Sequence, residues 1–138
     1  MLKNLSKKSV LIVDDDSRML RALDKVLTGE GASVTCADWA GDAMEILTGL
    51  QRRLDRVDLV ITDLRMPFVT GLTLVYAIHK ICPALPVIVL TALGSPDVRA
   101  ECFRQGAAAV IEKPLDTTRL LEAIETVFAS RQQMETTT

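Results

Sequence analysis

The sequence predicts an α/β domain built on an open, doubly wound parallel sheet. Short β-branched runs recur five times along the 138 residues, and apolar stripes at helical spacing fill the gaps between them. Polar residues stand directly after four of the five runs. Because parallel strands need crossover connections that are usually helical, this alternation is typical of a sheet covered by helices.

The five runs are predicted to form strands. Three of them, VLIV, LVIT and VIVL, are continuous rather than alternating, which is typical of strands buried on both faces. Five β-α units are too few for an eight-stranded barrel, and the flavodoxin-like order 2-1-3-4-5 is the common open solution. The predicted strands are Val10–Val13, Ser33–Ala37, Leu59–Thr62, Val87–Leu90 and Ala109–Ile111.

Five helices are predicted between and after the strands, each from an apolar stripe. Asp16 or Ser17 is expected to cap the first helix and Asp116 the last, and Pro96 stands near the first position of the fourth. One domain is therefore predicted over 9–129, with 1–8 as an N-terminal extension and 130–138 as a polar tail or the start of a linker.

Composition narrows the class of protein. The chain is 49% hydrophobic and 25% charged, with a net charge of −2, which is an ordinary globular profile without a basic excess. Direct nucleic-acid binding is therefore not expected. The N-terminus lacks a signal-peptide pattern and no segment has the length of a membrane span, so a cytoplasmic location is predicted. Cys36, Cys82 and Cys102 are predicted to be buried or half-buried free thiols.

The polar residues that could bind a ligand or take part in a reaction directly follow the strands. Ligands of open parallel sheets bind beyond the carboxyl ends of the strands, where the strand order reverses. In the order 2-1-3-4-5, strands 1, 3, 4 and 5 are neighbours, so their polar residues converge on one crevice. Strand 2 offers nothing comparable. The converging residues are Asp14, Asp15 and Asp16 after strand 1, Asp63 after strand 3, Thr91 after strand 4 and Lys113 after strand 5.

These residue types suit phosphoryl chemistry. Clustered carboxylates repel one another, and a hard cation such as Mg²⁺ relieves that repulsion. Thr91 offers a hydroxyl and Lys113 a positive charge for a phosphoryl group, while Asp63 can act as the nucleophile. Each residue taken singly has an ordinary alternative as a turn, a strand end or a surface lysine, and Asp16 is expected to be a helix cap. Their convergence favours the functional interpretation.

Four motifs together resemble the receiver domains of two-component response regulators. The resemblance runs from about Ser9 to Phe128 and includes the order in which the motifs occur. The motifs are VLIVDDDS at 10–17, VITDLRMP at 60–67 with Gly71 four residues later, VIVLTA at 87–92 and GAAAVIEKPLD at 106–116.

The resemblance assigns a role to each site residue. Phosphorylation at the acceptor would require Mg²⁺, and the bond between Lys113 and Pro114 would be cis. The implied roles are Asp63 as phospho-acceptor, Asp15 as direct metal ligand, Asp14 as a ligand through water, the Arg65 carbonyl as third protein ligand, Thr91 as switch hydroxyl and Lys113 as partner of the phosphoryl group.

The resemblance also implies partners. The phosphoryl donor would be a phosphohistidine on a sensor histidine kinase or phosphotransfer protein, and the domain would catalyse its own phosphorylation and dephosphorylation. An output domain in a longer chain and a homodimer through the helix 4–strand 5–helix 5 face are compatible with it. Val110 stands where the family usually has Phe or Tyr, which predicts weaker or different coupling to that face. Arg65 and Leu93 predict slow self-dephosphorylation, because neither side chain orients water as a carboxylate or amide does.

Two other classes of function remain open at this point. One is a receiver-like module that binds proteins without being phosphorylated. The other is an aspartyl phosphohydrolase of the HAD superfamily, which needs a second Asp two residues after the nucleophile. Arg65 occupies that position and argues against the hydrolase.

Overall fold

The alternation of strands and helices predicted from the sequence is present in the structure. The computed structural model describes residues 5–48, 56–65, 70–92 and 94–137, with side chains as far as residue 130. The elements within these ranges are β1 (Ser9–Val13), α1 (Ser17–Gly29), β2 (Ser33–Ala37), α2 (Ala40–Thr48), β3 (Leu59–Asp63), α3 (Gly71–Ile81), β4 (Val87–Thr91), α4 (Pro96–Arg104), β5 (Ala109–Glu112) and α5 (Thr117–Thr137).

All strand pairs of the sheet are parallel, and the order is β2-β1-β3-β4-β5. This confirms the predicted order 2-1-3-4-5. Val13 pairs with Thr62, and Thr62 pairs with Val89, so β1, β3 and β4 end at nearly the same level. The residues that follow these strands are therefore brought to one edge of the sheet.

Each face of the sheet carries its own apolar layer. Leu11 and Val13 of β1 contribute to a layer with α2, α3 and α4, whereas Val10 and Ile12 contribute to a layer with α1 and α5. Because both sets of alternate residues are buried, β1 has no polar face. This arrangement explains the continuous apolar runs in the sequence.

Side-chain caps start four of the described helices. Asp16 caps α1 by accepting a hydrogen bond from the Arg18 amide, at 2.9 Å, and Ser17 is the first helical residue. The hydroxyl groups of Thr70 and Ser95 cap α3 and α4, and Pro96 opens α4. The carboxylate of Asp116 accepts from the Thr118 amide at the start of α5, as predicted.

Described residues near both ends of the chain take part in the fold. Leu5, within the predicted extension 1–8, is fully buried in the layer of α1 and α5. The Lys7 amide donates to the Gly31 carbonyl at 2.9 Å, which holds this segment beside the end of α1. Helix α5 continues to Thr137, so the backbone of 130–137 is helical.

The three cysteines differ in burial. The expectation that every cysteine is at least half-buried was wrong for Cys36, which is exposed because β2 is an edge strand. Cys82 is intermediate and Cys102 is buried.

Among the described residues, no helix combines the length and the apolar character needed to cross a bilayer.

Candidate functional site

The structure brings the predicted polar residues together beyond the carboxyl ends of the strands. The Asp14 amide donates to the Ala37 carbonyl at 3.1 Å, which extends the pairing of β1 by one residue. Asp63 is the last residue of β3 and pairs with Leu90 of β4. Asp14, Asp63 and Thr91 are buried, whereas Asp15 is exposed at the mouth of the site.

Three carboxylates form an acidic cluster in this crevice. One carboxylate oxygen from each of Asp14, Asp15 and Asp63 lies within 4.8 Å of the other two. Burial raises the pKa of Asp14, and the negative charges of Asp63 and Asp15 raise it further; a hydrogen bond from the Asp16 amide and the charge of Lys113 oppose the rise. The folded protein therefore disfavours the ionised form of Asp14.

The oxygens of Asp14 are unequally satisfied. Oδ1 accepts a hydrogen bond from the Asp16 amide at 2.9 Å, whereas Oδ2 is buried and accepts none within the described part of the chain. A buried carboxylate oxygen without a donor is destabilising unless something positive binds it. Carboxylate oxygens are the ligands that Mg²⁺ prefers, so the residues present fit a magnesium ion held by Asp14, Asp15 and Asp63.

Lys113 supplies the positive charge that faces the cluster. Its Nζ lies 3.1 Å from Oδ1 of Asp63 and 3.7 Å from Oδ2 of Asp14. Burial alone would lower the pKa of Lys113, but the hydrogen bond to Asp63 and the charges of Asp14 and Asp63 outweigh it and raise the pKa. The Lys113 amide also donates to the Thr91 carbonyl at 2.7 Å, and the bond between Lys113 and Pro114 is cis, as expected.

Comparison with known sequences identifies the protein family of this chain. The response regulator receiver domain family matches the chain over residues 10–125. The chain belongs to this family. Receiver domains generally bind Mg²⁺ at an acidic pocket, and a cluster of Asp residues is present in this chain.

The curated relatives are longer regulators that contain a receiver domain. The transcriptional regulatory protein GlrR of Escherichia coli (strain K12) is 39% identical over 116 residues, which cover 84% of this chain and 25% of GlrR. The DNA-binding transcriptional regulator NtrC of the same strain is 32% identical over 126 residues, covering 91% of this chain and 26% of NtrC. This receiver domain thus spans about a quarter of the length of these relatives.

Solved structures agree with the fold. A CheY-like receiver domain protein from Methanospirillum hungatei JF-1 superimposes with a TM-score of 0.84 at 29% identity, covering 94% of this chain and 99% of that one. The CheX–CheY–BeF3–Mg²⁺ complex from Borrelia burgdorferi gives a TM-score of 0.81 at 30% identity, covering 89% and 90%. The predicted flavodoxin-like receiver fold is confirmed.

Three further residues of this receiver domain carry predictions about the metal or the switch. Arg65 is exposed two residues after Asp63, and its carbonyl stays a predicted metal ligand. Leu93 lies outside the described residues. Val110 is buried in the layer of α2, α3 and α4, and its carbonyl accepts a hydrogen bond from Nη1 of Arg99 at 3.1 Å. Arg99, which the sequence did not single out, therefore connects α4 to β5.

Sequence reasoning also missed the surroundings of the Asp63 backbone. Thr62 is fully buried, and its hydroxyl donates to the Asp63 carbonyl at 3.0 Å. Gly71 packs against that same carbonyl. The sequence signal for Thr62 is that it is the one polar residue of the run LVIT at 59–62. The signal for Gly71 is its position in the motif, four residues after Pro67.

Proposed function

We propose that Asp63 accepts a phosphoryl group from a phosphohistidine and that this event switches the surface formed by α4, β5 and α5. One observation carries the proposal: three carboxylates share a crevice in which Nζ of Lys113 lies 3.1 Å from Asp63, while one buried oxygen of Asp14 accepts no hydrogen bond and has that ammonium group 3.7 Å away. Such a site suits a cation together with a negatively charged group. Nζ of Lys113 lies closer to the Asp63 carboxylate than to the Asp14 carboxylate.

The proposed reaction is a phosphoryl transfer. An oxygen of the Asp63 carboxylate attacks phosphorus, and the new P–O bond forms as the P–N bond to imidazole breaks. The electron pair of the P–N bond remains on the imidazole nitrogen, which takes up a proton from solvent. The product is an acyl phosphate on Asp63.

The residues of the crevice have separate parts in this reaction. Lys113 is positively charged at neutral pH, as lysine ordinarily is, and its raised pKa favours that form further; its ammonium group would pair with the phosphoryl oxygens. The buried hydroxyl of Thr91 is a donor for the same oxygens. Asp14, Asp15, Asp63 and the Arg65 carbonyl would hold Mg²⁺, which when bound neutralises the charge of the carboxylates and the phosphoryl group.

The names of the relatives support a role in regulation. GlrR is a transcriptional regulatory protein and NtrC a DNA-binding transcriptional regulator, and each is about four times longer than the matched segment. We propose that this receiver domain acts with a sensor histidine kinase or phosphotransfer protein in the cytoplasm, and that an output domain rather than this domain contacts DNA. Dimerisation through α4, β5 and α5 is part of the proposal.

Small phosphodonors test this function directly. Incubation with Mg²⁺ and acetyl phosphate should give stoichiometric labelling at Asp63, detected by mass spectrometry of the intact protein, and Asp63→Asn should abolish it. Asp97→Asn, at an exposed position in the first turn of α4, is the matched control and should label like the wild type.

The same experiment separates the alternatives. Absence of labelling in the wild type would favour the phosphorylation-independent binding module. Continuous release of phosphate with catalytic turnover would favour the phosphohydrolase. Equal labelling of Asp63→Asn and wild type would contradict the assignment of Asp63.

A further inference from the structure

The main-chain carbonyl of Asp63 is held from one side by its neighbour in β3. The Thr62 hydroxyl donates to this oxygen at 3.0 Å, and the Thr62 side chain is wholly inaccessible to solvent. The peptide that joins Asp63 to Leu64 is also held at its other end, because the Leu64 amide donates to the Leu90 carbonyl at 2.9 Å. This peptide therefore has little freedom to rotate.

Gly71 holds the same segment from the first residue of α3. A Cβ atom built on Gly71 would collide with the Asp63 carbonyl oxygen and would lie 2.9 Å from Cα of Leu64, well inside contact distance. The Gly71 amide donates to the Leu64 carbonyl at 2.8 Å. Glycine is required here by the close approach of two backbones, so any side chain at this position must displace one of them.

These contacts matter for the chemistry because the Asp63 carboxylate and the Arg65 carbonyl are attached to the same stretch of backbone, residues 63–65. The carboxylate of Asp63 is attached to the same Cα as the held carbonyl, and its Oδ1 lies 3.1 Å from Lys113. The carbonyl of Arg65, the predicted metal ligand, follows the Leu64 carbonyl by one residue. A displacement of even about 1 Å in a reacting group can slow a reaction about a hundredfold.

We propose that Thr62 and Gly71 are positioning residues for phosphoryl transfer, which fix the backbone at 63–65 so that the Asp63 carboxylate and the Arg65 carbonyl face the crevice together. This inference rests on the proposed function of Asp63. Neither residue touches the phosphoryl group; both act through the backbone. A role in packing alone would lower stability without altering metal affinity or the rate of labelling in the folded protein.

Gly71→Ala is the first test, with Gly29→Ala as its matched control, because a Cβ at Gly29 meets no atom within 4 Å. In metal-free protein, exchange of the Leu64 amide measured by NMR should become about tenfold faster in Gly71→Ala. Mg²⁺ affinity by calorimetry should fall about fivefold, and labelling by acetyl phosphate at saturating Mg²⁺ should slow about tenfold. Gly29→Ala should match the wild type in all three measurements.

Thr62 provides a second test that does not depend on whether Gly71→Ala folds. Thr62→Val keeps the shape of the side chain and removes the donor, whereas Thr62→Ser keeps the donor and removes a methyl group. Labelling should slow about fivefold in Thr62→Val and return to within about twofold of wild type in Thr62→Ser. Packing alone would rank the two variants in the opposite order.

The outcomes separate this inference from the function on which it rests. If the wild type is labelled and Asp63→Asn is not, while folded Gly71→Ala or Thr62→Val keeps wild-type Leu64 exchange, Mg²⁺ affinity and labelling rate, the positioning role is wrong and the proposed function stands. If the wild type takes no label, the proposed function fails and the positioning role fails with it.

Discussion

Nζ of Lys113 lies 3.1 Å from Oδ1 of Asp63, so the residue that ends β3 and the residue that follows β5 form an ion pair across the end of β4. The same ammonium group lies 3.7 Å from Oδ2 of Asp14. A cation held by these carboxylates, as proposed above, would neutralise the same charges as Lys113, so the two positive charges would partly compete.

Replacing Lys113 by Gln should therefore have opposite effects on stability and on metal affinity. Without Mg²⁺, the free energy of unfolding in urea should fall by about 1 kcal/mol, because the carboxylates lose their counter-charge. Mg²⁺ affinity by calorimetry should rise. The exposed Lys25→Gln is the control, and unchanged values for both quantities in Lys113→Gln would contradict the competition.

Asp14→Asn should stabilise the metal-free protein while weakening Mg²⁺ binding. The pKa of Asp14 is raised, so the folded state binds this proton more tightly than the unfolded state, and the ionised carboxylate opposes folding at neutral pH. We expect a gain on the order of 1 kcal/mol at pH 7. The gain should shrink as the pH falls through the folded pKa, because wild-type Asp14 then becomes neutral.

Urea unfolding of wild type and Asp14→Asn across this pH range measures that effect, and the exposed Asp38→Asn is its control. A loss of stability in Asp14→Asn at pH 7 would mean that the contacts of the carboxylate outweigh the cost of burying it.

The acyl phosphate on Asp63 should be long-lived. Arg65 stands two residues after Asp63 and Leu93 two residues after Thr91, the positions that the resemblance to receiver domains places beside the acyl phosphate. Neither side chain orients an attacking water. Changing Arg65 to Asn and Leu93 to Gln should shorten the lifetime, measured by loss of label after removal of acetyl phosphate, by at least about threefold. An unchanged lifetime in the double variant would rule this out.

Val110 should limit the coupling between the site and α4. Val110 is 6% exposed and its carbonyl accepts a hydrogen bond from Arg99 of α4. A Tyr at this position needs space that only some packings of α4 provide, at a cost of about 1–3 kcal/mol. Val110→Tyr should therefore enlarge the phosphorylation-dependent change in amide exchange of α4 or in dimerisation. Val110→Ile is the control, and an unchanged response in Val110→Tyr would contradict the coupling prediction.

Leu5 should contribute to stability as a core residue does. Its side chain is fully buried beside α1 and α5, although it precedes the first strand. Leu5→Ala should lower the free energy of unfolding by about 2–5 kcal/mol, because it leaves a cavity in that layer. The control is Ile81→Ala, since Ile81 is 48% exposed and should change stability by less than about 1 kcal/mol. Similar small effects for both variants would show that Leu5 is not part of the core.

Local patterns in the sequence determined the elements of this receiver domain and the order of its site residues. Continuous apolar runs identified strands covered on both faces, Asp16 and Asp116 identified helix starts, and residues after strands 1, 3, 4 and 5 identified the crevice. These predictions succeeded because hydrophobic period, capping and the geometry of parallel sheets act over short distances or follow from strand order.

Only the tertiary structure decided which atoms approach one another within that frame. The burial of Leu5, the hydrogen bond from Arg99 to the Val110 carbonyl and the approach of Gly71 to the Asp63 carbonyl depend on how elements distant along the chain pack together. Thr62 reads as one more strand residue until its hydroxyl is seen to donate to the next carbonyl. Residue type determines what chemistry a side chain is capable of. Packing fixes the interatomic distances, to within a few tenths of an ångström, and these distances decide which of its possible contacts the side chain makes.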